Sequence, residues 1–342
     1  MMRLPSYTYR APKTVGDAAS WLAESPDAML LAGGTDLIPN MKRRQQTPSV
    51  VIGLRGIPEL TAVTRGAGLT IGSGSTLTSL VHDAGVRAKY TGLWQAVAQI
   101  ATPHLRNMGT IGGNICLDTR CTYYDQTFEW RKSINFCMKK DGDTCWVATS
   151  SDKCLAVSST DSAPALIALG ATVTLVSAAG TRELPLSDLY ANDGMHYLTR
   201  RRDEILTGIH LPSSEGWRST YWKLRRRGSF DFPVASVAAA ARFDGDTIVE
   251  ARLVLGAVSS RPLEVPVAAT RLAGQSLTDE LIASVADDAY ALAKPMDNTD
   301  FELVWRKKVV RSLVTSALRE LRGDDMREAR TKLARHPLIV VS

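Results

Sequence analysis

Leu31-Ala-Gly-Gly-Thr-Asp-Leu-Ile-Pro-Asn40 decides how this chain is read, together with its counterpart Arg106-Asn-Met-Gly-Thr-Ile-Gly-Gly-Asn114. Paired glycines expose consecutive backbone N–H groups with no Cβ in front of them, which suits a pyrophosphate. Thr35, Thr110 and Asn114 add side-chain donors. Neither stretch is a GxGxxG or a GxxxxGK[ST] loop, which disfavours a Rossmann domain and a nucleoside triphosphatase. By spacing alone, the same glycines also suit two tight turns that hold nothing.

The first glycine pair ends a short apolar strand, Met29 to Ala32. Before it, residues 14 to 25 read as a helix. Thr14 caps the start, Asp17 follows three residues on, and Val15, Ala18, Ala19 and Leu22 form one stripe. After it come strands at Ser49 to Leu54 and Leu69 to Gly72, then helices at Thr76 to Val86 and Leu93 to Ala101. Such alternation predicts an α/β arrangement up to about residue 115. Further on, Ser162 to Leu169 reads as a helix, and Ala171 to Ser177 and Ile205 to Leu211 as strands. From about residue 217 the pattern changes. Val234 to Phe243 and Thr247 to Val258 form a hairpin around Asp244-Gly245-Asp246. Asp279 to Ala293 and Asp300 to Leu321 are long amphipathic helices. A sheet followed by helices predicts a separate α+β C-terminal domain. Residues 323–342 read as a charged tail.

All five cysteines fall between Cys116 and Cys154. Residues 116–155 show no clean period of 2 or 3.6, and so long an irregular segment is unusual in a compact domain. A bound group that organises it removes the anomaly. Each iron of a [4Fe–4S] cubane takes one thiolate, so such a cluster asks for four. Zinc is the main rival, although its structural sites commonly pair their ligands as CxxC knuckles, which this chain lacks. Cys116 is the odd thiol, and a small buried apolar residue is its simplest role. Lys132, Lys139, Lys140 and Lys153 crowd the segment, and positive charge near a cluster raises its potential. Trp130 and Trp146 can pack there and keep it dry. His104 reads as a loop histidine, with contact to a cofactor as the alternative.

At 342 residues the chain is expected to form two or three domains. Hydrophobic content of 44% and charged content of 22% suit a soluble globular protein. Apolar runs such as Val234 to Ala241 are too short to span a bilayer. Met1-Met-Arg-Leu-Pro5 lacks the apolar core of a secretory signal, which predicts a cytoplasmic location and reduced thiols, and so argues against disulfides. Net charge is +6, with basic runs at Lys42 to Arg44, Arg200 to Arg202 and Arg225 to Arg227. Without aromatic interleaving or a helix-turn-helix signature, they fit a rim around an anionic cofactor better than a nucleic-acid face. There is no Ser-His-Asp or Cys-His nucleophile arrangement and no HExxH, and Asp36 and Asp161 are separate in sequence. No molybdenum-cofactor or [2Fe–2S] motif is present. No catalytic residue is assigned, and substrate chemistry is expected on a partner.

The two glycine stretches closely resemble those of the FAD-binding subunits of the xanthine dehydrogenase and carbon monoxide dehydrogenase family of molybdenum hydroxylases. The likeness continues at Ser159-Thr-Asp-Ser-Ala-Pro-Ala165, Asp203-Glu-Ile-Leu206 and Tyr221-Trp-Lys223, and covers roughly residues 5 to 322. It implies a two-lobed PCMH-type FAD-binding domain over 1–215, with an insertion at about 116–155. A CO-dehydrogenase-flavoprotein C-terminal domain over 216–322 would follow. The resemblance places FAD against Leu31, Ala32, Gly33, Gly34, Thr35, Asp36 and Leu37, and against Thr110, Gly112, Gly113 and Asn114. It adds Asp161, Leu206 and Lys223 beside the flavin. The insertion is similar to that of flavoprotein subunits of the 4-hydroxybenzoyl-CoA reductase type, and on that likeness Cys121, Cys137, Cys145 and Cys154 ligate a [4Fe–4S] cluster. The implied partners are a large molybdopterin subunit and a small [2Fe–2S] subunit in a dimer of heterotrimers, with ferredoxin as electron donor. The alternatives are outward electron flow to NAD or a quinone, and a zinc-stapled binding module without a redox role.

Overall fold

The computed structural model describes residues 3–228, 230–299 and 301–335. A first lobe is built on a parallel sheet of β1 (Thr8–Arg10), β2 (Met29–Leu31) and β3 (Val50–Gly53), in the order β1-β3-β2. Parallel neighbours need crossovers, and here they are helices α1 (Val15–Glu24) and α2 (Leu37–Lys42). Thr14 caps α1 as expected, its hydroxyl accepting from the Asp17 N–H at 3.0 Å. The stripe Ala18, Ala19 and Leu22 buries itself against Ile52, Leu54 and Leu60.

A second lobe holds an antiparallel sheet in the order β4-β5-β8-β6-β7. Its strands are β4 (Val63–Arg65), β5 (Leu69–Gly72), β6 (Thr172–Ser177), β7 (Gly180–Pro185) and β8 (Ile205–Leu211). Helices α3 (Leu77–His82), α4 (Ala84–Lys89), α5 (Thr91–Ala98), α6 (Pro103–Arg106) and α7 (Ile111–Ile115) follow β5. The single helix expected over 76–86 is two. Asp83 is extended (φ −76°, ψ 109°), and its carboxylate accepts the Val86 N–H at 2.9 Å, restarting the helix as a cap. Between α7 and α9 (Ser162–Ala168) lies the cysteine segment, whose one helix among the described residues is α8 (Phe128–Ser133).

The C-terminal sheet is antiparallel, in the order β12-β11-β10-β9. It comprises β9 (Trp217–Leu224), β10 (Ala235–Asp244), β11 (Thr247–Gly256) and β12 (Leu263–Glu264). Its two faces alternate as the pleat requires. Tyr221, Ala238, Ala240 and Val254 join the second lobe's core. Trp222, Val237, Ala239 and Leu253 bury against α10 (Pro266–Leu272), α11 (Asp279–Leu292) and α12 (Leu303–Arg322). The alanine-rich run at 235–241 is thus a strand covered on both faces. Strand β9 and helix α10 were not foreseen. The expected tail is also corrected. Arg327–Arg335 forms helix α13, whose Met326, Ala329 and Leu333 side pack against the C-terminal core. Arg330 lies 4.3 Å from the Trp222 ring centroid and pairs with Glu320 at 2.6 Å. Asp300, the expected start of α12, and residues 336–342 lie outside the described residues. Among the described residues no helix is long and apolar enough to cross a membrane.

Candidate functional site

The two glycine stretches meet. A Cβ added at Gly33 would sit 1.9 Å from the Met108 carbonyl oxygen and 2.9 Å from Gly109 Cα, so the two loops pack backbone to backbone. Gly112 is also pressed close, an added Cβ there lying 2.6 Å from Ser73 Cβ. Gly34 adopts φ +74°, the left-handed region that favours glycine. Among the described residues, the N–H groups of Gly33, Gly34, Thr35 and Asp36 reach no internal acceptor. Four successive free donors make an anion-binding concavity. Thr110 caps the facing helix α7, its hydroxyl accepting the Gly113 N–H at 3.0 Å.

Both loops open onto a cleft of about 690 Å³ between the lobes. Leu31, Ala32, Gly33, Gly34, Thr35, Asp36 and Leu37 line one side, and Thr110, Gly112, Gly113 and Asn114 the other. Leu206, on β8, lines it too. A dinucleotide fits this cradle on structural grounds, because the glycines let the two loops approach closely and the residues that bear the free N–H groups line the cleft.

Asp161 and Lys223 are placed differently from expectation. Neither lines the cleft. Both are buried, with the Lys223 ammonium 3.0 Å from the Asp161 carboxylate and 3.2 Å from the Gln99 carbonyl. The Tyr221 hydroxyl donates to the same carboxylate at 2.6 Å. Burial raises the Asp161 carboxyl above its ordinary pKa while Lys223 opposes the shift, and burial lowers the Lys223 ammonium. A buried ammonium needs a carboxylate, and that pairing takes both groups off the cleft wall. They communicate with it through Asn114, whose side-chain oxygen accepts from Thr160 Oγ1 at 2.9 Å and from the Ser162 N–H at 3.0 Å.

Cys121, Cys137, Cys145 and Cys154 are all buried and line one small pocket, with Tyr124, Lys139 and Trp146 among its other walls. Burial pushes the Cys121 thiol up to about 12 and the Cys154 thiol up to about 11, so loading a metal there displaces protons. Among the described residues, no three His, Cys, Asp or Glu side chains converge tightly enough to hold a single metal ion. Four thiolates around one zinc sit about 3.8 Å apart, given Zn–S bonds near 2.3 Å. A cubane spreads its ligands over four irons and asks for a wider cage.

Cys116 stands apart from the other four cysteines and lines the cleft instead. His104 is exposed on α6 and lines neither cavity. Sequence reasoning missed Asp118, Tyr197 and Phe232, all on the cleft wall. The insertion is sewn to the rest of the fold by long-range bonds. Arg120, beside Cys121, forms an ion pair with Asp36 of the first glycine loop and a second with Asp125 at 3.3 Å. Its guanidinium lies 4.7 Å from the Phe232 ring centroid. Burial raises Asp36, and Arg120 holds it back. Asn298 accepts the Thr122 N–H at 2.8 Å and donates to the Leu155 carbonyl at 2.6 Å. Buried Arg306, which caps the Ala257 and Met296 carbonyls, also reaches the Asn298 side chain at 3.3 Å.

Residues 5–214 match the FAD binding domain in molybdopterin dehydrogenase, and residues 219–321 match the CO dehydrogenase flavoprotein C-terminal domain. The aldehyde oxidoreductase FAD-binding subunit PaoB of Escherichia coli is 31% identical, over 92% of this chain and 99% of that one. The carbon monoxide dehydrogenase medium chain of Hydrogenophaga pseudoflava is 28% identical over 92% of this chain and 96% of that one. A solved carbon monoxide dehydrogenase from Hydrogenophaga pseudoflava superposes with a TM-score of 0.78 at 27% identity, covering 94% of this chain and 98% of that one.

Proposed function

The chain belongs to the FAD-binding subunits of the molybdenum hydroxylase family, and from that premise we propose that it is a two-cofactor electron relay, carrying FAD in the cleft and a [4Fe–4S] cluster on Cys121, Cys137, Cys145 and Cys154. The observation that supports the second cofactor is that those four buried thiols line one small pocket. A flavin exchanges electrons singly or in pairs and an iron–sulfur cluster one at a time, so together they join a two-electron reaction to a one-electron chain. The chain's own contribution is to bind and orient. The Gly33 to Asp36 N–H groups take the pyrophosphate, Leu206 presents an apolar wall, and buried Tyr124 helps keep water from the thiols.

The partners in this reading are a large molybdopterin subunit and a small [2Fe–2S] subunit, assembled as a dimer of heterotrimers in the cytoplasm. Substrate reacts on the large subunit. Relatives named as an aldehyde oxidoreductase and as carbon monoxide dehydrogenases favour electrons leaving the molybdenum centre through this subunit toward an external acceptor. The cysteine spacing favours a second reading, 4-hydroxybenzoyl-CoA reductase-like, in which ferredoxin feeds electrons inward. Mixing the purified complex with reduced ferredoxin or with an aldehyde, and following which bleaches the flavin absorbance, separates the two directions. Cys137→Ser tests the cluster itself. Iron content should fall with flavin retained, and unchanged iron would remove the cluster from the reading.

A further inference from the structure

The wall between the two cavities is built from charge. Lys139 lines the thiol pocket, two residues past Cys137, and its side chain is only 6% exposed. Its ammonium donates to Asp118 at 2.8 Å, to Thr119 Oγ1 at 2.7 Å and to the Gly194 carbonyl at 2.7 Å. It also lies 4.9 Å from the Tyr124 ring centroid and 5.3 Å from that of Tyr197. All three of its protons are thereby spoken for, and the head cannot swing away. Asp118 lines the cleft rather than the thiol pocket, and its second oxygen accepts from the Tyr124 hydroxyl at 3.1 Å.

We propose that the Lys139–Asp118 pair is a positioning element that lays a fixed dipole across this wall, positive toward the thiols and negative toward the flavin cleft, so that an electron shared between the two cofactors is drawn to the sulfur side. The inference rests on the two-cofactor reading above. Its sign follows from Coulomb's law. A cation against the thiol pocket stabilises the extra negative charge of a reduced group held there, and a carboxylate on the cleft wall opposes reduction of whatever the cleft holds. Other cations border the cleft: Arg55 and Arg202 are exposed, the Lys140 side chain is 34% exposed, and half-buried Arg200 donates to the Arg201 and Glu204 carbonyls, so solvent and salt reach all four more than the buried pair. The dipole favours passage from flavin to thiol pocket, the outward direction.

The test is a redox titration of the iron–sulfur signal in the full complex, for the wild type, Lys139→Gln, Lys139→Arg and Asp118→Asn, with Cys137→Ser as the reference for which iron belongs to this pocket. If Cys137→Ser loses no iron, the two-cofactor reading itself has failed. Where that iron is present, Lys139→Gln should lower the potential of the cluster, Asp118→Asn should raise it, and Lys139→Arg should restore the wild-type value. Opposite signs from the two partners are what a merely structural role would not produce. Equal signs, or no movement in either, overturn the proposal. If Lys139→Gln sheds its iron, Asp118→Asn decides alone: a raised potential upholds the dipole and an unmoved or lowered one overturns it.

Discussion

Gly113→Val separates the cleft from the fold. Gly113 is exposed on the cleft wall, and a Cβ built there meets only its own cap, Thr110 Oγ1, at 3.1 Å. The protein accepts the Cβ if the Thr110 hydroxyl gives by a few tenths of an ångström; a ligand drawn against that backbone has no such freedom. Overpacking a close contact costs about 1–3 kcal/mol, which weakens binding roughly 5- to 150-fold at 1.4 kcal/mol per decade. The same substitution replaces a glycine inside helix α7, and glycine is about 0.8–1.0 kcal/mol poorer than alanine in a helix. Valine is β-branched and recovers only part of that, and crowding the Thr110 cap offsets some of the gain, so the apoprotein should stay within about 1 kcal/mol of the wild type. Gly33→Ala is the control, because its methyl would sit 1.9 Å from the Met108 carbonyl oxygen. It should weaken flavin binding and lower apoprotein stability together. The assay is FAD affinity from recovered flavin fluorescence on dilution, paired with apoprotein melting. Wild-type affinity in Gly113→Val refutes the assignment of the cleft wall. An apoprotein as badly destabilised as Gly33→Ala refutes the claim that the added bulk meets ligand rather than protein.

Three further outcomes follow from other contacts. Asn298→Ala keeps the backbone carbonyl that accepts the Thr122 N–H but removes the side-chain bonds to the Leu155 carbonyl and from Arg306, a loss of about 1–3 kcal/mol per stranded buried group; iron should leave faster to a chelator while FAD stays bound. Lys223→Met strands the buried Asp161 carboxylate and should cost roughly 3–5 kcal/mol in urea unfolding, with the double change Lys223→Met and Asp161→Asn recovering part of it. Glu204 accepts from Arg182 at 2.6 and 2.9 Å and from the Arg201 N–H at 2.6 Å, which holds its carboxyl below the usual 4.5. A depressed folded-state pKa contributes stability above the unfolded value and loses it as pH falls through the folded one. The melting difference between wild type and Glu204→Gln should be constant near neutral pH and shrink below about pH 4.5; a difference that grows on acidification would contradict the pairing.

What could be read from the sequence was local. The cap at Thr14, the Asp-Gly turn between β10 and β11, and the double glycines each act within a few residues, so their signal is written in adjacent letters. The elements that were missed or displaced depend on partners far along the chain. Strand β9 shows little alternation because its Tyr221 side enters one core and its Trp222 side another. Helix α13 looks like a tail by polarity, and only Trp222 and Glu320 give Arg330 a place to pack. Lys223 carries no hint that Asp161, sixty-two positions away, waits beside it. The cysteine segment is the sharpest case. Its irregular course follows from bonds to Asp36, Gln45 and Asn298, none of which lies within it. The ion pair of Arg120 with Asp36 has a consequence for cofactor loading. It links the residue before Cys121 to the loop that bears the free N–H groups, so ordering that loop around a pyrophosphate also fixes one edge of the thiol pocket. Binding at either cavity then lowers the conformational cost of binding at the other, and the two should fill cooperatively.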